Sequence, residues 1–172
     1  AITYPEILVM QVTAIVKAMI ACKKKKIDAR PEIMIPLVGT VEELSQLRVL
    51  TEETIKAVKK KAKYTGKLNI PIGTMIEIPR AAVVAEQIAE VADFFSFGTN
   101  DLTQLTYGYS RDDINSFLPH YLDAAILERD PFQTIDFDGV GSLVAMGCQG
   151  GRKAENSLGV CIYLYCLCNW AG

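Results

Sequence analysis

The 172 residues are 50% hydrophobic and 22% charged, a composition that excludes a disordered, collagenous or low-complexity chain and fits one globular domain or part of one. Eighteen basic and 20 acidic side chains give a net charge of −2, unevenly spread: residues 1–69 hold 13 basic and 7 acidic groups, residues 70–172 hold 5 and 13. The acidic half repels phosphates, which argues against nucleic-acid binding. Five cysteines without a C-x-x-C pair, and a single histidine, His120, support neither a disulfide framework nor a structural zinc site. The chain opens on Ala1 without a signal-peptide pattern, so it reads as a piece or processed product from a reducing compartment.

Residues 7–22 are mostly apolar, interrupted by Gln11, Thr13 and Lys17 and followed by four lysines. A membrane span needs about 20 apolar residues, so this 16-residue run reads as a buried amphipathic helix whose lysines complement its dipole. Residues 31–39 (PEIMIPLVG) form a short apolar run bounded by proline and glycine, the pattern of a strand buried on both faces. Thr40 with Glu43 makes a capping box, and Val41, Leu44, Leu47, Leu50, Ile55 and Val58 then keep helical spacing up to the lysines at 59–63. Residues 72–78 read as a second strand, Pro79 as a first helical residue, residues 81–92 as an Ala-rich helix and residues 94–98 as a third strand.

This alternation implies parallel strands joined by crossover helices, an α/β fold. Three strands cannot close a barrel of eight, so partner strands are expected outside this sequence. Residues 108–138 read as a long functional loop with short helical pieces.

In parallel α/β folds, ligands bind at the carboxyl ends of the strands. Two carboxylates stand there: Glu77 near the end of the second strand and Asp101 just after the third. They suit one hard divalent cation, since Mg²⁺ typically takes one or two carboxylates plus substrate oxygens. The alternatives are an ion pair of Glu77 with Arg80 or Arg111, and Asp101 as a helix cap. Gly98, Thr99 and Asn100 add backbone that can approach an oxyanion and an amide that can donate to it. Cys161, at the end of a possible fourth strand, is either a thiol acid or a small buried hydrophobe.

The stretches PEIMIPLVGTVEEL from Pro31, IGTMIEIPRAA from Ile72, FFSFGTNDLTQLTYGYSRDD from Phe94 and AILERDPF from Ala125 resemble the phosphoenolpyruvate (PEP)-utilising enzymes, and within them the C-terminal PEP/pyruvate-binding domain of the pyruvate, phosphate dikinases. The resemblance implies a partial (β/α)8 barrel over residues 1–161, with roughly half of the barrel strands, and a divergent tail over residues 162–172. It implies that Glu77 and Asp101 bind Mg²⁺, that Gly98, Thr99 and Asn100 bind substrate, and that Cys161 is the proton donor at carbon. The parent activity converts ATP, pyruvate and phosphate to AMP, PEP and diphosphate. Implied partners are PEP or pyruvate, the phosphohistidine and nucleotide-binding domains of a full-length enzyme, and a second copy of the chain. The implied compartment is the chloroplast or cytoplasm.

Two departures stand out. Where the family follows the cysteine with a glycine-rich turn, Cys161 here precedes the apolar stretch Ile162 to Trp170. His120 matches no phosphocarrier motif, so a fragment inactive by itself is expected. The alternatives are a domain of the PEP synthase or phosphotransferase enzyme I type, and a fragment that interferes with dimerisation.

Overall fold

A computed structural model describes residues 1–154, and the backbone of residues 159–163. Helix α1 (Pro5–Lys24) starts on a proline, whose missing N–H costs nothing in a first turn, with Glu6 near its positive end and Lys23 and Lys24 near its negative end. With these polar ends it reaches 20 residues, long and apolar enough by length and composition to cross a membrane. Its Leu8, Val12, Val16 and Ile20 recur every four residues and pack into the core of the domain.

Strand β1 (Ile33–Ile35) is shorter than the apolar run around it, because Pro36 has no N–H for the ladder and Leu37 turns to φ 55°. Helix α2 (Val41–Lys61) begins with the expected capping box: Thr40 Oγ1 accepts the Glu43 N–H, and the Glu43 carboxylate accepts the Thr40 N–H. Strand β2 (Ile72–Ile76) follows. The alanine-rich segment forms two short helices instead of one, α3 (Pro79–Val83) and α4 (Ala85–Ala89), because Val84 between them leaves helical geometry. Strand β3 (Phe94–Gly98) leads directly into α5 (Thr99–Tyr107).

The segment after α5 is the irregular excursion expected from its composition, with a 3-10 turn at Ile114–Ser116 and helix α6 (Leu118–Asp123). Tyr107, Tyr109, Phe117 and Tyr121 stack through it in sequence, with ring centroids 4.9 to 5.4 Å apart. Helix α7 (Val140–Ala154) was not anticipated, since its glycines argue against a helix. The Asp136 carboxylate accepts the N–H groups of Gly139 and Val140 at its start. Its glycines permit close packing: a Cβ at Gly147 would stand 2.8 Å from the Phe97 ring, and one at Gly150 would stand 2.9 Å from the Glu86 backbone nitrogen.

Among the described residues the sheet has four parallel strands in sequential order β1-β2-β3-β4, the last being β4 (Gly159–Tyr163). In register, Ile33, Ile35, Ile72, Thr74, Ile76, Phe95 and Phe97 fall on the helix-covered face. Met34, Gly73, Met75, Glu77, Phe94, Ser96 and Gly98 fall on the other.

Arg48, on α2, ties the amino ends of β2 and β3 together. It donates to the carbonyls of Ile72 and Val91 at 3.3 and 3.0 Å, and its guanidinium meets Asp93 at 3.0 Å. Asp93 in turn accepts the Ile72 N–H at 2.7 Å. The Arg48–Asp93 charge pair is partly exposed and adds little by itself, but the carbonyl bonds need a donor with this reach. Arg48→Ala is expected to lower unfolding stability by about 2 kcal/mol, with Arg48→Lys recovering only part of it, as read from urea denaturation.

Candidate active site

The carboxyl edge of the sheet gathers the residues that the sequence singled out. Glu77 follows the last residue of β2 and is only 3% exposed. One oxygen, Oε1, accepts the Leu37 N–H at 2.7 Å. The other, Oε2, passes over Gly98, where a Cβ would stand 2.5 Å from Oε2 and 2.7 Å from Met75 Sδ. Only glycine leaves room for this carboxylate.

From Gly98 the chain turns into α5, which places Thr99, Asn100 and Asp101 in one helical turn. Thr99 is buried, Asn100 half-buried and Asp101 exposed. Asp101 lies close enough to Glu77 for the two carboxyl groups to hydrogen-bond when one is protonated. Gly98 at the N-cap has no side chain to cap α5, and among the described residues no side chain accepts from its first-turn N–H groups, which lie at the positive end of the helix.

Burial pushes the Glu77 carboxyl above its ordinary range, the Leu37 N–H pulls it partly back, and the neighbouring Asp101 charge adds to the rise. Neither arginine that could have neutralised Glu77 does so. Arg80 donates to the Gly39 carbonyl, and Arg111 lies over the Phe132 ring at 5.2 Å. Among the described residues no salt bridge involves Glu77 or Asp101. Asp101 is also no N-cap; it belongs to the first turn of a helix whose N-cap is Gly98.

These features fit a hard divalent cation. Two carboxylates converge, one of them buried, and among the described residues no donor is found for its second oxygen and no basic side chain pairs with either. No group of three metal-ligating side chains exists among the described residues, so further ligands would be substrate or water oxygens, as Mg²⁺ commonly takes.

Cys161 lies in the middle of β4, not at its end, as the backbone partner of Ser96 on β3; its side chain lies outside the described residues. Two features escaped the sequence reading. Leu37 stands at φ 55°, a left-handed conformation that costs a leucine about 1–2 kcal/mol; no local pattern foretells it. Ser96 Oγ is buried without a hydrogen-bond partner among the described residues. A lone serine within the apolar FFSFG strand was the available signal for it.

Residues 1–162 match the family described as "PEP-utilising enzyme, PEP-binding domain". The chain belongs to this family of PEP-utilising enzymes. "Pyruvate, phosphate dikinase 2" of Oryza sativa subsp. japonica is 49% identical over 162 residues, covering 93% of this chain and 18% of the relative. "Pyruvate, phosphate dikinase 2" of Zea mays is 51% identical over 163 residues, with the same coverage. "Pyruvate, phosphate dikinase 1, chloroplastic" of Oryza sativa subsp. japonica is 52% identical over 163 residues, covering 93% of this chain and 17% of the relative. The chain thus spans less than a fifth of the length of these relatives. In this PEP-utilising domain, Glu77, Gly98, Thr99, Asn100 and Asp101 share one edge of the sheet.

The raised Glu77 pKa sets a pH test. A carboxyl whose folded pKa exceeds its unfolded value favours folding when protonated, and that contribution is lost as pH rises through the folded pKa. Glu77→Gln keeps an acceptor for the Leu37 N–H and offers Asp101 a donor. In metal-free buffer this variant is expected to match the parent near pH 4 and to become more stable than it as pH rises toward 8, measured as a widening gap in thermal midpoint.

Proposed function

We propose that this chain carries the Mg²⁺-dependent PEP/pyruvate half-site of a pyruvate, phosphate dikinase, built on a sector of a (β/α)8 barrel over residues 1–161, with residues 162–172 a divergent tail. The single observation that carries this reading is the convergence of Glu77 and Asp101 beside the first turn of α5, with no salt bridge to either among the described residues. Sequential parallel strands with the site at their carboxyl edge are what a barrel sector requires. The names of the relatives favour the dikinase over the PEP synthase or enzyme I of the phosphotransferase system.

In this reading Glu77 and Asp101 hold Mg²⁺. The bound ion would supply Lewis-acid stabilisation of negative charge on the enolate oxygen. The open N–H groups at Thr99 and its neighbours, with the Asn100 amide, orient substrate oxygens by donating hydrogen bonds. Cys161 delivers a proton to the methylene carbon of the enolate when PEP has given up its phosphoryl group, and removes one from the methyl group of pyruvate in reverse. Phosphoryl transfer draws on phosphohistidine and nucleotide-binding domains of a longer protein, which would convert ATP, pyruvate and phosphate to AMP, PEP and diphosphate. A second copy of the chain is the expected oligomeric partner. Chloroplast or cytoplasm is the expected compartment, the former in line with relatives named chloroplastic.

The test is Mn²⁺ binding by the full chain, followed by electron paramagnetic resonance with and without pyruvate. The parent is expected to bind Mn²⁺, and pyruvate to tighten that binding through reciprocal linkage. Glu77→Gln and Asp101→Asn are each expected to weaken it by on the order of tenfold or more. Binding that is indifferent to both substitutions would falsify the half-site.

A further inference from the structure

The Leu37 side chain is 60% exposed, so packing of that side chain does not account for a leucine at φ 55°. What the conformation accomplishes is carried by the backbone: it aims the Leu37 N–H at Glu77 Oε1 across 40 residues of sequence, at 2.7 Å. The segment that carries this N–H is pinned on both sides. Pro36 restricts the backbone before it. Val38 after it is buried, the Gly39 N–H donates to Glu43 Oε2 at 2.7 Å, and the Gly39 carbonyl accepts from Arg80. The donor therefore cannot follow a moving carboxylate; the carboxylate must come to it.

With Oε1 held there, Oε2 is the oxygen left over Gly98. We propose that Leu37 is a positioning residue for Glu77: its left-handed backbone fixes which carboxylate oxygen is committed to the protein and which is presented, beside Asp101, to a divalent cation. The proposal rests on the half-site reading above and adds a residue that acts through Glu77 and not on substrate. Outer-shell donors of this kind orient a ligating carboxylate, and their loss typically weakens metal affinity by about 10–100-fold.

The backbone origin of the effect makes an unusual prediction about substitutions. Glycine adopts the left-handed region freely, whereas a β-branched residue there is a severe outlier. Leu37→Gly should therefore preserve the contact and Leu37→Val should break it, although valine is the closer chemical relative. Two readouts on the full chain separate the cases. In metal-free protein, the residue-37 amide proton should resonate far downfield in the parent and in Leu37→Gly, and should move upfield in Leu37→Val and in Glu77→Ala, which removes the acceptor. Mn²⁺ affinity should be retained within about twofold in Leu37→Gly and fall by about tenfold in Leu37→Val.

An amide resonance that ignores Glu77→Ala overturns the contact, and this measurement needs only the parent and a variant at a different position. Equal Mn²⁺ affinity in the valine variant and the parent overturns the positioning role. Loss of affinity in Leu37→Gly as large as in Leu37→Val shows that the side chain matters and overturns it too. If the parent binds Mn²⁺ no more tightly than Glu77→Gln does, the half-site reading falls and the cation role of Leu37 falls with it, an outcome distinguished by an amide shift that still reports the contact.

Discussion

The carboxyl edge of the sheet is organised by a buried acid that has no basic partner among the described residues. A carboxylate withdrawn from water needs donors or opposite charge, and among the described residues Glu77 receives one donor, the Leu37 N–H. Its other oxygen is accommodated because Gly98 has no side chain. Three features of distant parts of the chain therefore answer one requirement: a leucine in a left-handed turn after β1, a glycine at the end of β3, and a helix that begins at once with its first N–H groups uncapped. Each would be unfavourable or unremarkable alone. Together they surround the two carboxyl groups of Glu77 and Asp101.

The opposite edge solves a different problem. There Arg48 and Asp93 satisfy backbone groups at the starts of β2 and β3 and are paired with each other. Paired charges at the amino edge and two carboxyl groups without a salt bridge among the described residues at the other match the division expected of parallel α/β folds, in which ligands bind at the carboxyl ends of the strands. Between the two edges, the helix-covered face is filled by Ile35, Ile76, Phe95 and Phe97 without a charge among them. The electrostatic contrast between the ends is thus separated by an apolar layer.

Helix α7 shows how tertiary packing overrides local preference. Glycine weakens an isolated helix by about 1 kcal/mol per residue relative to alanine, and α7 carries Gly141, Gly147, Gly150 and Gly151. At Gly147 and Gly150 the missing Cβ is what lets the helix lie against Phe97 and against the backbone of α4. The loss of helical propensity is offset by close packing over β3, the strand that delivers Gly98 and Asp101 to the site. Asp136 supplies the start signal through the N–H groups it collects, at a spacing that a sequence reading passes over in a loop rich in aspartates.

The sequence by itself determined the alternation of strands and helices, the capping box at Thr40, the third strand at residues 94–98 and the pair of carboxylates at strand ends. These are local matters of periodicity, caps and turn residues, and the motifs around Glu77 and Asp101 also pointed to the family. Only the tertiary structure decided how those carboxylates are served. It turned Arg80 and Arg111 away from Glu77, ended β1 early so that Leu37 could reach across to β2, broke the alanine-rich helix at Val84, and buried Ser96 on the sheet face shared with Glu77. A hydrogen bond between residues 40 positions apart, or room for a carboxylate above a glycine on the next strand, depends on which strands lie side by side and in what register. That information resides in the packing of the whole sheet and in no window of the chain.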